Sequence, residues 1–121
     1  MKLGIILPCY NIEQKINLSN LLTIISINKD AHFCFVNNGS SDNSLRVLEY
    51  LNKESEIEIS VLDIKKKKKK KSGVIRAGER FLKSNKDLDY VQSVCLDFSL
   101  KLEAMNRFFE KEIKQNKEFR K

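Results

Sequence analysis

Apolar residues fall into short runs and periodic stretches that alternate along the chain. From Leu3 to Leu7 they are interrupted only by Gly4, and the run stops at Pro8. Proline has no N–H to give to a ladder, so this pattern predicts a buried strand that ends in a loop. Asn11 opens a helix-like stretch in which Ile16, Leu18, Leu21, Leu22, Ile25 and Ile27 recur near the helical period up to Asn28, predicting one apolar face against a sheet. Phe33 to Val36 is apolar without alternation, as in a strand covered on both faces. The turn-rich segment Asn37 to Asp42 follows, with Ser41 or Asp42 placed to cap a helix carrying Leu45, Val47, Leu48 and Leu51. Ile57 to Ile64 is a third strand, about Gly73 to Ser84 a helix, Tyr90 to Leu96 a fourth strand and about Leu102 to Lys114 a last helix.

Strand and helix therefore alternate four times. That order predicts an α/β fold: a three-layer α/β/α arrangement around a mostly parallel sheet with right-handed crossovers. A chain of 121 residues allows one domain, spanning 1–121. Ligands of such sheets sit beyond the carboxyl ends of the strands. Pro8 to Asn11, Asn37 to Asp42 and Asp97 to Ser99 all fall there, which locates a candidate site.

Composition sharpens the picture at a few points. At 41% hydrophobic and 32% charged, the chain can build a core and a polar surface, which excludes wholesale disorder. The net charge of +7 resides in one uninterrupted run, Lys65 to Lys71, since the other basic residues balance the 16 acidic ones. A basic face spread over the fold is therefore not expected. Seven adjacent like charges predict a solvated, mobile loop at 65–71. The alternative role for the run is attraction of a diphosphate, a lipid phosphate or an anionic membrane surface. Few aromatic residues lie nearby to stack bases, so specific nucleic-acid binding is not expected.

Cys9, Cys34 and Cys95 form no CxxC pair and lie in apolar surroundings, which predicts three buried, reduced thiols and a cytoplasmic protein. The single histidine, His32, excludes a multi-histidine metal centre. The N-terminal apolar stretch is too short for a signal sequence, and no segment reaches the roughly 20 apolar residues of a membrane span. Peripheral contact at the inner membrane face is compatible with all of this.

Four segments in order carry a resemblance. Gly4-Ile5-Ile6-Leu7-Pro8-Cys9-Tyr10-Asn11 looks like an apolar strand ending in Pro-x-Tyr-Asn, and Phe35-Val36-Asn37-Asn38-Gly39-Ser40-Ser41-Asp42 looks like Val-Asp-Asp-Gly-Ser-x-Asp. Lys71-Ser72-Gly73-Val74-Ile75-Arg76-Ala77-Gly78 is similar to Lys-Gly-Gly-Ala-Val-Arg-x-Gly, and Leu96-Asp97-Phe98-Ser99-Leu100 to Leu-Asp-Ala-Asp-Leu. Together they resemble the donor half of family-two glycosyltransferases, inverting enzymes of the GT-A fold, and most closely those that load sugars onto polyprenyl phosphates. The resemblance implies a Rossmann-like half that binds a nucleoside-diphosphate (NDP) sugar. Pro8, Tyr10 and Asn11 would line the base and ribose, and Asn38 would face the base. Ser40, Lys71 and Arg76 would complete the nucleotide site, and Asp97 would reach the diphosphate and its divalent cation, Mg²⁺ or Mn²⁺.

The chain departs from that pattern in four ways. Asn37 and Asn38 replace two acids, keeping hydrogen bonding without charge. Ser99 stands where the second cation-binding carboxylate is expected, and a hydroxyl is a poor neutral substitute for one. Lysines occupy the place of a turn before Lys71. The chain reads as ending after the donor half, without a nominated catalytic base, so transfer of the sugar is expected to be weak or absent. Three other roles remain open: a nucleotide-sugar-binding module without turnover, a homo-oligomer that completes its site through the terminal helix, and a binder of polyanions or membrane surfaces.

Overall fold

In the computed structural model, which describes residues 2–119 without the side chains of Asn85 and 114–119, strands and helices alternate in the predicted order. They are β1 (Leu3–Cys9), α1 (Leu18–Ile27), β2 (Ala31–Asn38), α2 (Ser44–Glu54), β3 (Ser60–Ile64), α3 (Lys71–Asn85), β4 (Tyr90–Ser93) and α4 (Leu102–Phe119). Arg120 and Lys121 lie outside the described residues. All strand pairs are parallel, in the order β3-β2-β1-β4.

The apolar runs sort themselves by parity, because successive side chains of a strand point to opposite faces. Ile5, Leu7, Phe33 and Phe35 pack on one face with Leu21, Ile24 and Ile25 of α1, Leu48 and Leu51 of α2, and Met105 and Phe109 of α4. Ile6, Cys34 and Val36 pack on the other with Val74 and Leu82 of α3. The result is three layers. Phe33 anchors the larger core, its ring 6.3 Å from Phe35 and edge-on to Phe109 at 5.6 Å. On the smaller face α3 comes very close to β1: a Cβ on Gly78 would lie 2.8 Å from Ile6 Cγ2.

From β1 the chain steps outward to β2 and β3, then crosses back through α3 to β4 on the far side of β1. The strand order thus reverses between β1 and β4, and the surface beyond their carboxyl ends is the usual ligand position in such sheets.

Several boundaries differ from the sequence reading, each for a local reason. Strand β1 continues through Pro8 to Cys9. Ile6 C=O accepts from Val94 N–H on the β4 side at 2.9 Å, and Pro8, of the same parity, turns its missing donor toward that side after β4 has ended. Asn11 does not open a helix: its φ of 49° is left-handed, and α1 starts after Asn17, whose side chain accepts from Asn20 N–H. Strand β3 begins at Ser60 and β4 stops at Ser93. Lys71 belongs to α3, which leaves 65–70 as the loop.

Cys9 and Cys34 are buried as expected, and burial pushes the Cys34 thiol up to about 12 and the Cys9 thiol higher still. Cys95 is exposed, against expectation. Past β4 the chain keeps alternating, with Val94, Leu96 and Phe98 inward and Cys95, Asp97 and Ser99 outward. Among the described residues no helix is long and apolar enough to cross a membrane.

Candidate functional site

The loops after β1 and β2 are sewn together by short polar side chains. Asn11 N–H donates to Ser40 Oγ at 3.0 Å, while Asn11 Oδ1 accepts from Ser41 N–H at 2.8 Å. Ile12 N–H donates to the buried Ser44 Oγ at 2.7 Å, and Asn43 N–H to Glu13 Oε1 at 3.1 Å. The left-handed turn at Asn11 faces its partner loop through these bonds, and asparagine tolerates that conformation better than most side chains. Ser40 Oγ also donates to Asn37 Oδ1 at 2.6 Å, and Asn37 Nδ2 reaches Asp63 at the end of β3 at 3.0 Å. One network therefore spans the carboxyl ends of β1, β2 and β3.

Asp42 carries out the capping assigned to it, accepting from Ser44 N–H at 2.9 Å at the start of α2. Its slight burial works against ionisation, but hydrogen bonds from the Ser44 side chain and nearby backbone amides outweigh that and hold the carboxyl below its usual range. Asn43, the residue preceding the helix, makes no side-chain capping bond of its own.

Asn38, which the resemblance places facing the base, holds a neighbouring loop in this structure. Its buried amide engages the lysine loop at both ends: Lys68 N–H donates to Oδ1 at 2.8 Å, and Nδ2 donates to Lys68 C=O at 3.2 Å. The loop's lysines are all exposed, as their charge predicts, but its backbone is anchored at mid-length. Lys67 Nζ lies 3.9 Å from the centre of the exposed Tyr10 ring, a cation–π contact that ties the loop to β1. Gly39 permits the approach. Its φ is 56°, and a Cβ there would meet Lys67 N at 2.8 Å, so the position requires glycine twice over.

The fourth segment lies beyond β4. Asp97 Oδ1 accepts from Ser99 N–H at 3.0 Å and from Ser99 Oγ at 2.6 Å. These bonds, the side-chain one foremost and with the charge of Lys15 contributing, hold the carboxyl below its usual range. Lys71 extends from the first position of α3 to Cys95, its Nζ 3.0 Å from Sγ, and that bond raises the ammonium pKa. Arg76 is exposed further along α3, and Pro8 is half-buried at the end of β1.

The structure thus brings Tyr10, Asn11, Asn38 and Ser40 together with Lys67 and Lys68, and sets Lys71 beside the segment of Asp97. Sequence reasoning missed Asp63, Glu13, Lys15 and the docking of Lys67. Asp63 had a readable signal, a lone acid near the end of an apolar strand. The other contacts link segments far apart in the chain and left no mark.

A divalent cation does not fit these residues. Asp97 is the one carboxylate of its segment, and the Ser99 hydroxyl donates into it. Among the described residues no group of three or more His, Cys, Asp or Glu side chains could hold a metal ion.

No protein-family model matches the chain, and neither does any curated protein. Among solved structures it is similar to a mannosyltransferase from Pyrobaculum calidifontis in complex with GDP-Man and Mn²⁺, with a TM-score of 0.52 and 17% identity. The match covers 65% of this chain and 24% of the mannosyltransferase chain. At that identity the likeness is one of fold: this chain has a Rossmann-like α/β fold of the kind found in a glycosyltransferase.

Proposed function

We propose that this chain binds an NDP-sugar across the carboxyl ends of β1, β2 and β4, as the donor-binding half of an inverting family-two glycosyltransferase. The observation that carries the proposal is the network joining Asn11, Ser40, Asn37 and Asp63, which rigidifies two strand-end loops beside the exposed Tyr10. A planar base and a ribose need such preset short polar loops with an aromatic wall, because ordering them on binding would cost affinity. The fold shared with a mannosyltransferase solved with GDP-Man supports the same reading.

In this reading Tyr10 and Pro8 flank the base and Asn11 meets the ribose. Asn38 and Ser40 act as positioning residues, since their polar atoms hold Lys68 and Asn37. Lys71 and Arg76, on the first turns of α3, face the diphosphate side. Transfer would require an acceptor hydroxyl or phosphate, with a polyprenyl phosphate as the candidate, and a base to deprotonate a hydroxyl. None of the acids described above is placed for that step. A nucleotide-sugar-binding module without turnover is therefore the second reading, favoured by Ser99 facing Asp97 in place of a second acid.

Calorimetric titration of the purified chain with GDP-Man, UDP-glucose and the free nucleotides tests the proposal. Saturable binding that prefers one base is the expected result. Equal, non-saturating heats with every nucleotide would refute it.

A further inference from the structure

The lysine run, where the chain's excess charge resides, sits at the mouth of the proposed nucleotide site, and the fold goes to some length to hold it there. Asn38 grips the Lys68 backbone from both sides, Gly39 leaves room for Lys67 to pass flush against the β2 turn, and Lys67 lies over Tyr10. Lys71 crosses to the segment after β4 and ends on Cys95, two residues from Asp97. From the loop after β1, Lys15 adds its field at Asp97. Cations from two separate segments, the lysine run and the loop after β1, therefore border the surface beyond the carboxyl ends of β1 and β4.

Among the described residues no lysine of the run lies within ion-pair distance of a carboxylate, and the ion pairs present lie at the other end of the sheet. The start of α3 worsens the imbalance. Its first turn contains lysine and no acid, and the preceding Lys70 makes no side-chain capping bond, although the positive end of a helix disfavours cations. Such a concentration of charge without ion-pair partners, anchored by the Asn38 amide at the strand ends, has the chemistry of a polyphosphate receptor.

We infer that this chain grips the diphosphate of its donor without a divalent cation, the ammonium groups of Lys67 and Lys71, aided by Lys15, supplying the charge that a metal would otherwise provide. The inference rests on the nucleotide-sugar reading above. It also accounts for Ser99: with lysines neutralising the diphosphate, a second carboxylate at that position would only repel it.

The test is a titration of the full chain with GDP, UDP and inorganic pyrophosphate, in EDTA and again with Mn²⁺. Binding in EDTA within about threefold of that in Mn²⁺ is expected, weakening roughly tenfold or more from about 50 mM to about 500 mM salt as screening takes hold. The pair Lys67→Ala with Lys71→Ala should weaken binding by about tenfold, whereas Lys29→Ala with Lys83→Ala, an equal loss of charge elsewhere, should leave it within about twofold. Binding that requires Mn²⁺, or equal loss in both double variants, overturns the inference and leaves the nucleotide reading intact. Metal-free binding of pyrophosphate without either nucleotide overturns the nucleotide reading and leaves the diphosphate grip standing. Binding of none of the three overturns both.

Discussion

The two ends of the sheet teach opposite lessons about where function lies. At the amino end, a cavity of about 860 Å³ opens among the end of α1, the starts of β1 and β2, the residues before β3 and those after α3, and its lining cations Lys2, Lys29 and Lys86 are matched in number by Asp30, Glu58 and Asp87. Polar groups there satisfy one another. Lys86 pairs with Glu58, His32 shares a 2.7 Å hydrogen bond with Ser60, and Asp89 takes the Lys2 N–H at 2.8 Å. The carboxyl end is an open surface that combines rigid polar loops and an exposed aromatic ring with a lysine run that, among the described residues, pairs with none of the nearby acids Glu13, Asp42, Asp63 and Asp97. A hollow whose charges cancel has little to offer a charged ligand, whereas a run of unpaired lysines anchored through its backbone does.

The sharpest way to break this contrast is Gly39→Ala. The left-handed φ disfavours alanine by roughly 1–2 kcal/mol, and displacing Lys67 from a Cβ at 2.8 Å adds a clash of about 1–3 kcal/mol. Urea unfolding should show a loss in that combined range, with nucleotide binding lost alongside. A loss below about 0.5 kcal/mol would mean that the loop does not pack on this turn.

Asn38→Ala comes next. Two hydrogen bonds to Lys68 disappear, and because that backbone can turn to water the loss should be about 1–2 kcal/mol. Trypsin cleavage within residues 65–70 should accelerate at the same time. Unchanged cleavage would show that Asn38 does not hold the loop.

Ser99→Asp exchanges one mode of charge compensation for another. Two neighbouring carboxylates favour a hard divalent cation, so nucleotide binding should become Mn²⁺-dependent, at least about fivefold tighter with the ion than in EDTA. A variant as indifferent to Mn²⁺ as the parent would mean that Asp97 does not face the diphosphate.

The smallest effect belongs to the amino end. Burial, then the charge of Lys86, holds the His32 pKa below its ordinary 6.5 despite the opposing pull of Glu58. Above that value both folded and unfolded states carry a neutral imidazole; below it the unfolded chain takes up a proton more readily, so stability declines as pH falls. The Glu58 carboxylate, held below its usual range by the Lys86 hydrogen bond, adds to the decline as the pH enters the carboxylate range. In His32→Gln the first part of that decline, just below pH 6.5, should flatten in urea titrations, with nucleotide affinity unchanged. A parallel fall in affinity would tie the amino end to function.

Much of the fold was legible because a doubly covered parallel sheet demands uninterrupted apolar runs, and Leu3 to Leu7 and Phe33 to Val36 supply them. The order of elements followed directly. The alternation of Val94, Cys95, Leu96, Asp97, Phe98 and Ser99 also held the answer for Cys95, whose thiol shares the exposed side with Asp97. Taken as part of a buried strand, it was misplaced. What could not be read were pairings across about thirty residues, such as Asn38 with Lys68 or Asn11 with Ser41, which depend on the register of β1, β2 and β3. The lysine run shows the same limit from the other side. Its composition predicts a solvated loop, and its lysines are exposed, but only the amide beneath it and the glycine beside it reveal that its backbone is docked.

Amide chemical shifts of the isotopically labelled chain, followed by NMR during titration with GDP or UDP, test the central claim most directly. The account predicts changes concentrated at 10–11, 39–41, 67–74 and 95–99, with the amides of 29–32, 58 and 86 unmoved. Changes centred on the amino-end cavity, or none at the carboxyl end when nucleotide is saturating, would contradict it.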